Sequence, residues 1–126
     1  MNKNERCQAL PIIRTQKVEW SKSGNENNVI TLSYPKYNDE IRSWIDTFYS
    51  LDIVDNNYIE NCEKIKQKQI SDLTRDETLT RITSIIRGER FCDGTIAKAL
   101  ENGMLEELCV HLHESVKQTE EAANNI

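Results

Sequence analysis

No apolar run in this 126-residue sequence extends beyond a few residues, far short of the ~20 that a membrane-crossing helix needs. The opening Met1-Asn-Lys-Asn-Glu-Arg6 leads into no hydrophobic stretch either, so no secretory signal is read and the cytoplasm is the expected compartment. The four cysteines, Cys7, Cys62, Cys92 and Cys109, never form a C-x-x-C pair. In a reducing compartment they read as free thiols, mostly small buried hydrophobes. Histidine is scarce, with only His111 and His113. Two residues apart on a helix they point about 200° from each other, so they cannot chelate one metal from one face. Cys109 stands in the same relation to His111. No metal and no cofactor is therefore expected. Gly88 and Gly94 lack the G-x-x-x-x-G-K spacing of a phosphate loop. Basic charge is also short: 16 Lys and Arg against 21 Asp and Glu leave a net charge of −5. That balance argues against non-specific nucleic-acid binding, which depends on neutralising phosphates.

What is present is enough for one domain, with 37% hydrophobic and 29% charged residues over a length that buries about two thirds of the unfolded surface. Residues 1–15 read as a short packed arm. Val18 and Trp20 then alternate with polar neighbours, as do Ile30, Leu32 and Tyr34, around a Ser-, Gly- and Asn-rich stretch from Ser21 to Asn28. The pattern predicts a β-hairpin over 16–34, with Pro35 closing its second strand. Asn38 is a good N-cap, and Ile41, Trp44, Ile45 and Phe48 form the stripe of a core-facing helix ending near Leu51. Tyr58 to Gln67 predicts a short charged helix. Thr74-Arg-Asp-Glu77 is a capping box opening a helix read as running to about Phe91. A short helix over 95–102 ends at Asn102-Gly103, and the last helix carries Leu105, Leu108, Cys109, Leu112 and Val116 on one face. From Gln118 to Ile126 the tail is polar and expected to fray. The fold class is mostly α, an α+β domain with its N-terminal hairpin packed on a bundle of about four helices over 38–117.

The densest chemistry lies in Arg87-Gly-Glu-Arg-Phe-Cys-Asp-Gly94. If the preceding helix continues through Gly88, Arg90 falls within about 40° of Ile86 and emerges from the apolar stripe. It would then be buried and paired with Glu89 or Asp93, since an unpaired buried guanidinium costs several kcal/mol. Arg87, Glu89, Arg90 and Asp93 thus form the candidate ligand-binding set. The favoured reading is an ion-pair knot joining two helices. Anion binding and catalysis by a carboxylate with arginine clamps stand behind it, because no activated water or nucleophile accompanies the four. Cys92, flanked by arginine, reads as a structural thiol rather than a nucleophile. Trp20 and Trp44 read as core, and Tyr34 and Tyr37, at the hairpin–helix corner, as interface residues.

Three stretches taken together resemble a domain-of-unknown-function family of small bacterial and archaeal proteins. They are Ser33-Tyr-Pro-Lys-Tyr-Asn-Asp-Glu-Ile41, Asp55-Asn-Asn-Tyr-Ile59, and Ile85 to Gly94, whose Arg-Gly-Glu-Arg-Phe-x-x-Gly pattern is followed by Ala99-Leu-Glu-Asn-Gly103. The resemblance spans roughly Val18 to His113. It implies a hairpin on a helical bundle and carries no activity.

Small size, acidic charge and the absence of any activated nucleophile, metal spacing or nucleotide motif favour a non-catalytic binding module. Its expected partner is another protein or a second copy of itself, with neither nucleic acid nor membrane. Small acidic proteins of mobile elements answer the same description. The alternative is a small enzyme or anion receptor using Arg87, Glu89, Arg90 and Asp93.

Overall fold

The computed structural model describes residues 1–23 and 32–124. Of the turn expected over Ser21 to Asn28, residues 21–23 belong instead to the first strand, which pairs with the second; residues 24–28 and Ile30 lie outside the described residues. The architecture is mostly helical with one two-stranded antiparallel hairpin.

The chain opens with a helix that its pattern of apolar residues hides. α1 spans Lys3–Ala9, and Asn2 and Glu5 form a capping box at its start: Asn2 Oδ1 accepts from the Glu5 N–H at 2.8 Å. Each side chain satisfies a free backbone donor of the first turn. The hairpin therefore does not lead the chain. Cys7, Leu10, Ile13 and Val18 are buried along α1 and the extended arm that follows it. The indole N–H of Trp44 donates to the Pro11 carbonyl at 2.8 Å, holding the arm against the next helix.

β1 (Glu19–Ser23) pairs with β2 (Leu32–Lys36) in the register Trp20 to Pro35 and Ser21 to Tyr34. Pro35 does not end its strand. A two-stranded ribbon consists of two edges, where a residue without an N–H is tolerated.

α2 (Asp39–Ser50) starts as its sequence predicts, with Asn38 Oδ1 accepting from the Ile41 N–H at 2.9 Å, and buries Ile41, Trp44 and Phe48. α3 (Tyr58–Ile65) is the weaker helix, with Ile65 buried but Ile59 70% exposed, and a 3-10 turn at Ile70–Asp72 follows it.

α4 (Arg75–Gly88) is the central element, touching α3, α5 (Thr95–Glu101) and α6 (Met104–Asn124). The Thr74/Glu77 capping box is present at its start. Its buried face mixes Leu79, Ile82, Ile85 and Ile86 with Thr78, Thr80 and Thr83. The Thr78 and Thr83 hydroxyls bond back to the carbonyl four residues earlier, the usual way for a helical threonine to satisfy itself in a core, whereas the single Thr80 hydroxyl proton has a closer acceptor in Asp55.

In α6 the predicted stripe, Leu105, Leu108, Cys109, Leu112 and Val116, is fully buried. The helix continues to Asn124, past the expected end near Lys117. Among the described residues there are six α-helices rather than about four. None of them is long and apolar enough to cross a membrane.

Candidate functional site

α4 ends at Gly88, three residues before the expected end, and that changes the geometry of the charged stretch. The N–H groups of Phe91 and Cys92 both return to the Gly88 carbonyl at 3.0 Å, closing a compact turn. Gly94 then enters α5 with φ of +94°, a left-handed backbone that residues with a Cβ rarely adopt. A Cβ there would also collide with the Trp20 ring, whose edge lies over this glycine. One small residue thus serves both the turn and the seating of the hairpin.

The acid that fixes this turn is Glu89. Its Oε2 accepts from the Gly94 N–H at 2.8 Å, while Oε1 accepts from the Ile96 N–H at 2.9 Å and the Tyr37 hydroxyl at 2.8 Å. The Tyr37 oxygen in turn accepts from the Ala97 N–H at 3.1 Å. Glu89 and Tyr37 together supply the first turn of α5 with the acceptors that Gly94, having no side chain, cannot. Burial first, and then donation to Glu89, push the Tyr37 phenol well above its ordinary pKa.

The structure distributes the four candidate ligand residues differently from the expected knot. Glu89 faces inward. Arg87 lies over the Tyr49 ring, 5.7 Å from its centroid, with its Nε buried and bonded to nothing among the described residues. Arg90 and Asp93 are exposed, as is Cys92. No ion pair among the described residues joins the four. Arg90 is therefore not the buried, paired arginine of the sequence reading: ending the helix at Gly88 rotates it off the apolar face. Between Arg90 and Cys92, Phe91 stands 83% exposed, the most exposed large hydrophobic side chain among the described residues. Tyr34 is 44% exposed on the hairpin, whereas the Tyr37 hydroxyl points into the molecule.

A second polar assembly, not foreseen as a site, surrounds Asp55. Its Oδ2 accepts from Asn61 Nδ2 at 2.9 Å and from the Thr80 hydroxyl at 2.5 Å, and its Oδ1 accepts from the Asn57 N–H at 2.9 Å. Its own N–H donates to Thr83 Oγ1 at 3.1 Å. Burial alone would raise this acid, but the bonds from Asn61, Thr80 and Asn57 outweigh it and hold the pKa below the usual carboxylate value. Of the Asp55-Asn-Asn-Tyr-Ile59 stretch, Asp55 is the residue that docks onto the threonine face of α4. A cleft of about 410 Å³ opens beside it, bordered by Lys3, Lys64 and Asp76 among others. A second, of about 420 Å³, lies at the foot of the hairpin near Lys17, Tyr37 and Arg42. Arg87, Glu89, Arg90 and Asp93 line neither.

The histidines serve the scaffold. His111 Nε2 lies 2.7 Å from the Leu73 carbonyl and His113 Nε2 2.8 Å from the Leu10 carbonyl. A carbonyl only accepts, so each Nε2 carries the proton. Among the described residues no cluster of three His, Cys, Asp or Glu is placed to hold a metal.

Residues 6–118 match DUF6508, a family of unknown function. The chain belongs to this family. The DUF6508 match runs through both assemblies just described, the Arg87–Gly94 turn and the Asp55 loop, and assigns a role to neither. No curated protein and no solved structure matches the chain.

Proposed function

We propose that this DUF6508 chain is a protein-binding module that docks through the turn of residues 90–93, with Phe91 as its anchor. The observation that carries the reading is the combination of an 83% exposed phenylalanine with a turn held from both sides. Leaving such a ring in water forgoes roughly 1.5–3 kcal/mol of burial, which a partner's apolar pocket would recover. The turn is fastened by Glu89, by the paired bonds to the Gly88 carbonyl, and by the Thr95 hydroxyl donating to the Cys92 carbonyl at 2.7 Å. A ring presented on an already ordered turn loses little further entropy when it docks. Trp20, 41% exposed over Gly94, and Arg90 extend the patch with the residue types that dominate binding hot spots.

A photo-crosslinking amino acid at Phe91, expressed in the native cell, tests this directly. A discrete crosslinked partner is expected from position 91, and none from Glu101, an exposed position on α5. Equal labelling from both positions would remove the basis for the proposal.

The alternative, an anion receptor or small enzyme using Arg87, Glu89, Arg90 and Asp93, has one observation behind it: the Arg87 Nε without a hydrogen-bond partner among the described residues. Against it, Glu89 already accepts three hydrogen bonds and no described cleft brings the four together. Thermal stabilisation of the wild type, but not of Arg87→Ala, by inorganic phosphate or a carboxylate metabolite would favour the alternative.

A further inference from the structure

Pro35 settles which backbone groups of the hairpin face outward. In an antiparallel ladder, opposed residues alternate between pairs that exchange both hydrogen bonds and pairs whose N–H and C=O groups point away from each other. Proline has no N–H. The unbroken register through Trp20 and Pro35 therefore makes this a non-hydrogen-bonded pair. By alternation Lys22 and Ser33 are another, while Glu19/Lys36, Ser21/Tyr34 and Ser23/Leu32 are the bonded pairs.

The two outer edges consequently differ. On β2 the outward groups belong to Ser33 and Pro35, and the proline leaves that edge without one of its donors. On β1 they belong to Trp20 and Lys22, and both are complete. Among the described residues no backbone hydrogen bond leaves β1 except to β2. A free edge with intact donors and acceptors is a template for another strand.

We propose that β1 pairs antiparallel with β1 of a second copy of this chain, joining two hairpins into one four-stranded sheet. The register is self-complementary. With the two-fold axis at Ser21, all five residues of each strand are paired, Glu19 with Ser23 and Trp20 with Lys22 of the other copy. The outward groups of Trp20 and Lys22 then meet as bonded pairs, giving four inter-chain hydrogen bonds. Centring the axis on Trp20 or Lys22 pairs only three residues of each strand, and the latter sets two lysines directly opposite, which is unfavourable. Pro35 caps the outer strands of the new sheet, so assembly closes at two copies rather than growing into a filament. This edge shares Trp20 with the patch around Phe91 but uses its backbone N–H and C=O rather than its ring, and it does not depend on the reading of the Phe91 turn.

Sedimentation equilibrium of the wild-type chain, from micromolar to millimolar concentration, provides the test. The mass is expected to rise from 14.6 kDa towards twice that value. Lys22→Pro removes an outward donor and leaves the bonded pairs within the hairpin untouched, as Pro35 does on β2. It should hold the chain at the single-chain mass with an unchanged circular dichroism spectrum. Ser33→Pro makes the same chemical change on β2 and should dimerise like wild type. A wild type that stays at single-chain mass throughout, or Ser33→Pro disrupting dimers as fully as Lys22→Pro, overturns the proposal. Should Lys22→Pro lose its fold, amide exchange on the wild type decides. Slowing at Trp20 and Lys22 with rising concentration supports the edge pairing; exchange independent of concentration rejects it.

Discussion

The residue that best repays attention is Glu89, half-buried and bonded to three donors from two different parts of the chain. Removing it leaves the Gly94 and Ile96 N–H groups and the Tyr37 hydroxyl without their acceptor. Hydrogen bonds to a charged group are worth about 1.5–3 kcal/mol each, and partial rehydration limits the sum. Glu89→Ala should therefore cost about 3 kcal/mol and lower the Tm by about 10 °C. Arg90 supplies the contrast. It is one residue away and exposed, so Arg90→Ala should change stability by no more than about 0.5 kcal/mol. If Arg90→Ala instead melted like Glu89→Ala, the placement of the turn would be wrong. Tyr37 adds a pH dependence with a definite sign. Its folded pKa is raised above the unfolded value near 10. Above that pH the unfolded chain sheds a proton that the folded chain keeps, so stability falls as pH rises. Below it both states are protonated and the group contributes no slope. Tyr37→Phe should be less stable at neutral pH yet lose less on going to pH above ~10, which thermal melts across that range will show.

Among elements, α2 and the buried face of α6 are legible in the sequence because each buries one continuous stripe with a 3.6-residue period, although α6 runs on to Asn124, beyond the end expected near Lys117. The end of α4 is not. Its apolar period extends formally to Arg90, but the chain leaves the helix at Gly88 because Glu89 finds three donors across the turn. No local pattern announces a bond to Tyr37, 52 residues away. α1 is a different kind of miss: the Asn2/Glu5 capping signal is present, but Pro11 and the irregular apolar spacing around it obscure the short helix it starts. The Asp55 loop shows how an acid can be placed for docking rather than for chemistry. An aspartate at the mouth of a cleft invites a functional reading, yet its oxygens are taken by Asn61, Thr80 and Asn57. Because its folded pKa lies below the unfolded one, its contribution is present above pH ~4 and lost as pH falls through the folded value. Asp55→Asn should accordingly be less stable than wild type at pH 7, with the difference narrowing in melts below pH ~4.

At the scale of the whole molecule, the hairpin stands outside the helical core and is joined to it through few side chains. Its existence is legible from period-two alternation, but its seat is not, since Trp20 reads as an interior residue and instead lies 41% exposed across Gly94. Two strands alone are marginal in water, so the ribbon persists because something holds one face of it. The Trp20 ring over Gly94, with Val18 buried just before β1, is the visible hold. Trp20→Ala removes the ring while leaving every helix contact of α4 and α6 in place. Amide exchange at 19–23 and 32–36, measured at concentrations low enough to exclude self-association, should then accelerate by an order of magnitude or more, corresponding to at least ~1.4 kcal/mol of local stability. Protection in α4 and α6 and the helical signal in circular dichroism should remain those of the wild type. Gly94→Ala attacks the same junction from the other side, adding about 1–2 kcal/mol of left-handed backbone strain to the loss of the Trp20 seat. It should loosen the hairpin and lower the Tm together. Unchanged exchange at the strands in Trp20→Ala would show that the ribbon is held elsewhere, whereas an equal loss of protection in α4 would show that hairpin and helices fold as one cooperative unit.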